Sequence, residues 1–531
     1  MSAMKGVSRR QFIAGSTILT GAAMLPWSGH VTAAVSSATD VSGSPRKGGV
    51  LRISVDQAVG MLNPQQARVN PEYLVAELLY SGLTRLTQDM KAEGDLAESW
   101  KASDDLTQWT FTLRKKLRFH DGSVCTSADV VASLNAILDP KNASPGQHNI
   151  GPVTAVTAPD ADTVVISTNG PYADLPVMLA YPDAKIIPAE IAEGQLERLS
   201  KEAIGTGPFK LVSFDPERLI VVERNPHYYD PLRPHLDRVE VVVYPDAIAE
   251  GSALIAGDTD LMLSAAATEF ARLSTSTGVV PLRVPSGQFL NVNMGCDTKP
   301  FNDVRVRQAL ALCVDRNATV GFVAEGYGTV GNDTPLNAAY PYYRKEPLKA
   351  PDYTKAKALL RDAGYPDGLD LTLVASDKPS TRTQLGIALR EMAKPGGFRI
   401  KVQTMAHSTY LDQVWKKGNF YVGFYNMQPT PDAVFSLLYT STASWNETRW
   451  NNAEFDVAVK AARETADPAK RTELYGKAQK LMHDEVPSLI PAFFDLLAAG
   501  RDYVAGYQLH PRGAVFRLDH VWLTAKAPTR K

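Results

Sequence analysis

Phe301-Asn302-Asp303-Val304-Arg305-Val306-Arg307-Gln308-Ala309-Leu310 opens a helix midway along a chain that up to that point reads largely as strands. Asp303 is a helix-capping residue, and Val304, Ala309, Leu310 and Val314 fall at helical spacing behind it. Arg305, Arg307 and Asp315 then fit a solvated face or ion pairs at its edge. Upstream, residues 49–55, 109–113, 163–167, 219–223 and 238–243 alternate or run apolar as strands, and residues 72–83 carry Leu74, Leu78 and Leu79 at helical spacing. Thr126 can cap a further helix, with Asp129 three residues on, where a helix N-terminus favours a carboxylate. Downstream the pattern stays helical. Asp352 or Thr354 starts one helix that ends at Gly364, and Asp467-Pro468 starts another with Leu474, Ala478, Leu481 and Met482 along one face. Helices and strands intermix throughout, so the fold class is α/β.

The chain has 531 residues, 44% of them hydrophobic and 21% charged, with a formal net charge of −1. Such a length buries a large core without metals or disulfides. The near-neutral charge and the lack of a basic stripe argue against nucleic acid as a partner. Cys125, Cys296 and Cys313 form no CxxC and no zinc spacing, and all three are expected to be small buried hydrophobes. The first thirty-odd residues read as a leader. Lys5, Arg9 and Arg10 make a positive head, residues 12–25 an interrupted apolar run, and Ala33 and Ala34 offer cleavage sites. Ser8-Arg9-Arg10-Gln11-Phe12-Ile13 resembles a twin-arginine export signal, read by machinery that carries folded proteins. The mature protein is then expected in the periplasm, and residues 35–48, rich in Ser, Gly and Pro, are expected to be a linker.

Four blocks occurring in order resemble the bacterial extracellular solute-binding proteins of family 5, which include oligopeptide, dipeptide and nickel-complex receptors. They are Leu96-Ala97-Glu98-Ser99-Trp100 through Ala128-Asp129-Val130, Gly205-Thr206-Gly207-Pro208-Phe209 with Glu223-Arg224-Asn225-Pro226, the helix opening at Phe301, and Ala356-Lys357 through Pro366. The resemblance implies a two-lobed clamshell. Residues 46–80, 206–287 and 498–531 would form the first lobe, residues 81–205 an extra subdomain on it, and residues 288–497 the second lobe. It also implies a monomeric substrate-binding subunit that hands a peptide, opine or similar small solute to the membrane permease of an ABC importer. No cofactor and no catalytic role are implied.

In peptide-binding relatives the loop matching Tyr425-Asn426-Met427-Gln428-Pro429-Thr430-Pro431-Asp432 carries an aspartate that holds the peptide's amino terminus. Met427 stands at that position here, while the motif's downstream aspartate is present as Asp432. Two accounts stay open. Either Asp432 takes over the amine, or the solute lacks a free primary amine, as an opine, a modified peptide or a metal chelate does. The following segment offers the flat face of Trp445, the amide of Asn446 and the guanidinium fork of Arg449 for a carboxylate. Tyr425 and Arg68 are further candidates, and Phe289, Asn291 and Asn293 would touch the solute or serve the hinge.

A secreted hydrolase is the main competing class, but GxSxG and HExxH motifs are missing and the nine histidines are scattered. Gly205-Thr206-Gly207-Pro208 lacks the lysine of a phosphate loop and reads as a turn, as does Asp121-Gly122. A binding protein that feeds a sensor instead of an importer would share every one of these features.

Overall fold

The computed structural model describes residues 36–39 and 43–530; the expected leader, with Arg9, Arg10 and the cleavage sites, lies outside them. Its spine is an 11-stranded sheet. In order across the sheet lie Phe398–Met405, Leu369–Ser376, Phe420–Tyr425, Val279–Met294, Ser488–Arg501, Leu261–Met262, Val50–Val55, Arg238–Val243, Leu219–Arg224 and Phe209–Asp215, with Gly328–Val330 branching from Ser488–Arg501. Local sequence explains most of the flanking helices. Thr126 accepts from the N–H of Ala128 to cap Ser127–Leu138, and the Asp129 carboxylate answers the N–H of Thr126 at 2.8 Å. Asp352 caps Tyr353–Asp362, after which Gly364 adopts φ 94°. The helix read from Asp303 is split: it stops at Ala311, and Asp315 caps a second helix, Arg316–Val323. Arg307 is buried, donating to the carbonyls of Phe301 and Glu485. It therefore lies on no solvated face.

Two hydrophobic cores share this sheet. The first gathers Leu51, Ile53, Leu74, Phe209, Val222, Val241, Leu282, Tyr507 and Leu518. The second gathers Leu290, Val306, Leu310, Leu373, Leu389, Phe398 and Val422. A four-stranded antiparallel sheet, Ala97–Ala102, Gln108–Leu113, Thr163–Thr168 and Val153–Asp160, builds a third core around Trp109, Phe111 and Ile166. This unit meets the second half through the buried pair Asp174–Arg471 at 2.6 Å.

The two long strands Val279–Met294 and Ser488–Arg501 run through both cores. Val279 to Pro285 pair in register with Arg501 to Asp495; the register breaks between Pro285 and Gln288, then resumes from Gln288 opposite Phe494. Ser286 and Gly287 therefore form an irregularity at the boundary, where a strand bends most readily. A Cβ at Gly287 would stand 2.4 Å from Tyr340 and 2.7 Å from Met427, so this close approach admits only glycine. Cys125 and Cys313 are buried as expected, but Cys296 is only half-buried; burial pushes its thiol up to about 11. Ser37, Ala38 and Thr39, inside the stretch expected to be a linker, lie paired along residues 507–509, and the Ser36 carbonyl accepts from the N–H of Arg283.

Candidate ligand-binding cleft

A cavity of about 760 Å³ opens between the two cores, within the usual range for small-molecule sites. Its position follows from sheet chemistry. In open α/β sheets, ligands gather outside the carboxyl ends of the strands. In the second half, Leu369–Ser376 runs parallel to Phe398–Met405 and to Phe420–Tyr425. The cavity residues Arg382, His407 and Asn426–Gln428 come shortly after the ends of these three strands. Across the cavity, Val50–Val55 runs parallel to Leu261–Met262, and Asp56, Gln57, Leu263 and Ser264 follow their ends.

The second-half wall is aromatic. Trp415 and Trp445 meet edge to face with centroids 5.2 Å apart, and Tyr425 stands 6.3 Å from Trp445. Beneath them lies Glu447, 3% exposed, which accepts from the Trp415 indole at 2.6 Å and from Tyr425 and Asn293. Burial pushes this carboxyl up to about 7. Its acceptor sites hold the ring tips in place, so Glu447 anchors the wall.

Arg382 is the unusual group. It is 8% exposed, lies over the Tyr410 ring at 5.2 Å, and has a buried Nε without a hydrogen-bond partner. Among the described residues no carboxylate forms an ion pair with it. Desolvation lowers its pKa, with only partial compensation from Tyr410 and Glu447. It stands in the first turn of Thr381–Ala393, a helix whose N-cap Ser380 makes no side-chain cap bond. A positive helix end and a bare guanidinium facing one cavity suit an anion.

Tyr425, Met427, Trp445 and Arg68 lie on the cavity wall. The Met427 sulfur also receives the N–H of Gly287 at 3.3 Å, so this side chain packs on the strand irregularity. Six other candidates are placed away from the cavity. Asp432 is 3% exposed, with Arg463 Nε at 3.0 Å and the Ser436 hydroxyl at 2.9 Å. That carboxylate is engaged inside the protein and is not presented to a solute amine. Asn446 ties down its own loop, donating to the carbonyls of Thr440 and Trp450. Arg449, at φ 51°, binds Asp297 at 2.7 Å and the Gly418 carbonyl at 3.2 Å. Phe289 is fully buried against Tyr425 and Phe493. Asn291 and Asn293 are buried too, bonded to each other at 2.7 Å on the strand behind the cavity. Sequence reasoning missed Arg382, His407, Tyr410, Trp415, Glu447 and Arg512. The usable signal was position: Arg382 and His407 each open the helix that follows a strand end.

Among the described residues no group of three or more His, Cys, Asp or Glu is placed to hold a metal ion, and no helix is long and apolar enough to cross a membrane.

Residues 91–448 match the model of the bacterial extracellular solute-binding proteins, family 5 Middle. The chain belongs to that extracellular family and is the substrate-binding subunit of an importer of the ABC class. The glutathione-binding protein GsiB of Salmonella choleraesuis (strain SC-B67) is 27% identical over 473 residues, covering 86% of this chain and 92% of the relative. The binding protein AgaA from A. tumefaciens R10, solved with agropinic acid, is 26% identical with a TM-score of 0.73, covering 90% of this chain and 99% of that one. HbpA2 from Haemophilus parasuis superposes with a TM-score of 0.81 at 23% identity, over 90% of this chain and 100% of that one; this second likeness concerns the fold.

Proposed function

We propose that the cavity captures a small acidic, peptide-like solute whose carboxylate is held by Arg382, and that the mature protein delivers it to a membrane permease from the periplasm. The observation that carries this reading is the buried guanidinium without an acceptor. A buried charge left unpaired is costly, and a solute carboxylate supplies both counter-charge and acceptor atoms. The aromatic wall of Trp415, Trp445 and Tyr425 gives flat apolar contact beside it. The names of GsiB and AgaA fit the same chemistry: one binds glutathione, and the other was solved with agropinic acid. Asp432 is committed to Arg463, so the cleft does not depend on it for a free amine. Binding proceeds without turnover, the protein acts as a monomer, and Arg9 and Arg10 direct its export by the twin-arginine route.

Ligand-stripped mature protein tests this reading in a thermal-shift panel of peptides, acidic amino-acid conjugates and metal chelates. A solute at 100 times its dissociation constant adds about 2.7 kcal/mol. An acidic solute that shifts the wild type but not Arg382→Ala supports the reading. A solute that stabilises both equally removes Arg382 from the site.

A further inference from the structure

The wall facing Arg382 carries a second guanidinium in the same condition. Arg512 lies in the C-terminal segment between Leu509 and Phe516, both part of the first core. It lies over the Tyr181 ring at 4.3 Å, and its buried Nε and Nη1 have no hydrogen-bond partner. Among the described residues no carboxylate forms an ion pair with it; Asp183 is the acid that feels its field, along with those of Arg68 and Lys185. Asp183 itself is fully buried and bonded to Asn149 at 2.9 Å. Arg68 lines the cavity on the same side, and its own contact is a 3.4 Å bond to the Ala143 carbonyl.

Two cavity-lining arginines, one on each core, thus lie on tyrosine faces with nitrogen atoms unanswered. An aromatic face orients a guanidinium and leaves its in-plane N–H groups free, the geometry a carboxylate takes up in a two-pronged contact. Other guanidiniums of this chain show the contrast. Arg316 and Arg471 also keep a buried Nε without a partner, and Arg471 also lies over Tyr342 and Tyr475, but Arg316 holds Asp333 and Arg471 holds Asp174, each at 2.6 Å. Arg382 and Arg512 lack such internal acids. The lining also holds Arg68, Asp56 and Glu250, so what marks these two is that each guanidinium, on opposite walls, has no carboxylate of its own and is matched by one on the occupant.

We infer that the solute is a dicarboxylate, with one carboxylate held by Arg382 on the second core and the other by Arg512 on the first. This deepens the reading above and rests on it. It gives binding a direct route to closure, because a solute that spans both arginines gains its second contact only when the two walls stand at the right separation. A solute with a single carboxylate engages one wall.

The test is titration calorimetry on ligand-stripped mature protein with glutathione and an N-(1-carboxyethyl) amino acid, each compared with its two monoesters. Neutral peptide amides and a nickel–histidine chelate serve as controls. For a diacid that binds, both monoesters are expected to bind at least about tenfold more weakly. Arg382→Ala and Arg512→Ala should each weaken the diacid similarly, and each variant should be indifferent to esterification of the carboxylate whose partner it has lost. Arg512→Lys keeps the charge without the fork, and an unchanged ligand-free melting temperature in that variant separates binding from folding.

If a monoester binds as tightly as its diacid and Arg512→Ala changes nothing while Arg382→Ala still weakens binding, the dicarboxylate is overturned and the single-carboxylate reading stands. Binding confined to the neutral amides or the chelate overturns both.

Discussion

Arg382 and Arg449 lie on the same half of the molecule and carry the same side chain, yet they do opposite things. Arg449 sits in a loop with a left-handed backbone and holds Asp297, Gly418 and Asn419, stitching two loops together. Arg382 lies on a tyrosine ring beside the cavity with no acceptor of its own. The difference teaches that a binding arginine is marked by what it lacks, and a sequence does not display a missing partner.

The comparison can be broken at several points, beginning with the largest expected effect. Asp432 belongs with Arg449 as an internally committed charge. Asp432→Ala leaves Arg463 without its carboxylate and should lower stability by about 3 kcal/mol, the low end for a broken buried pair because Arg463 is partly exposed, while the folded fraction keeps its ligand affinity. Urea melts and calorimetry read the two quantities separately, and lost affinity with intact stability would move Asp432 into the site.

Glu447 sharpens the comparison from the acid side. Its carboxyl, pushed up to about 7 by burial, holds a proton in the folded state at pH values where the unfolded chain has released it. The stability this contributes is present below the unfolded value and is lost as pH rises through about 7. Glu447→Gln lacks this loss, so its stability relative to the wild type should rise between pH 5 and pH 8 by up to about 3 kcal/mol. Denaturant melts at the two pH values measure it, and a flat difference would show that Trp415, Tyr425 and Asn293 keep the group ionised throughout.

Arg382→Ala should cost a carboxylate solute about 1.5–3 kcal/mol of affinity and leave ligand-free stability unchanged or higher, since an unpartnered buried charge is removed. Arg449→Ala should show the smallest effect, no change in affinity and at most about 1 kcal/mol of stability, as for a part-exposed ion pair. An affinity loss there, with none at Arg382, would reverse their roles.

Much of the fold was legible because its signals are local. Thr126 with Asp129, and Asp352 with Gly364, announce helix ends through hydrogen bonds that span a few residues. The split after Ala311 was not legible, because Asp315 looked like a face residue of one helix when it caps another. At the site, residues 425–447 stood out by their aromatic and polar density, and Tyr425, Met427 and Trp445 do line the cavity. Arg382 and Arg512 did not stand out. Each becomes informative only beside a ring and a space supplied by distant parts of the chain, Tyr410 for one and Tyr181 for the other.

The two strands that thread both cores, with their break at Ser286 and Gly287, form a flexure of the kind a machinist would cut from one piece of metal. The ribbon is in register from Val279 to Pro285 and slips again between Leu290 and Val292, so the halves are left to tilt where the pairing is interrupted. On the reading proposed above, the gap between Arg382 and Arg512 changes with that tilt. If the solute carries two carboxylates as proposed, such a joint works as a caliper: the length between them sets how far the jaws close, and that closure is what a membrane partner would read.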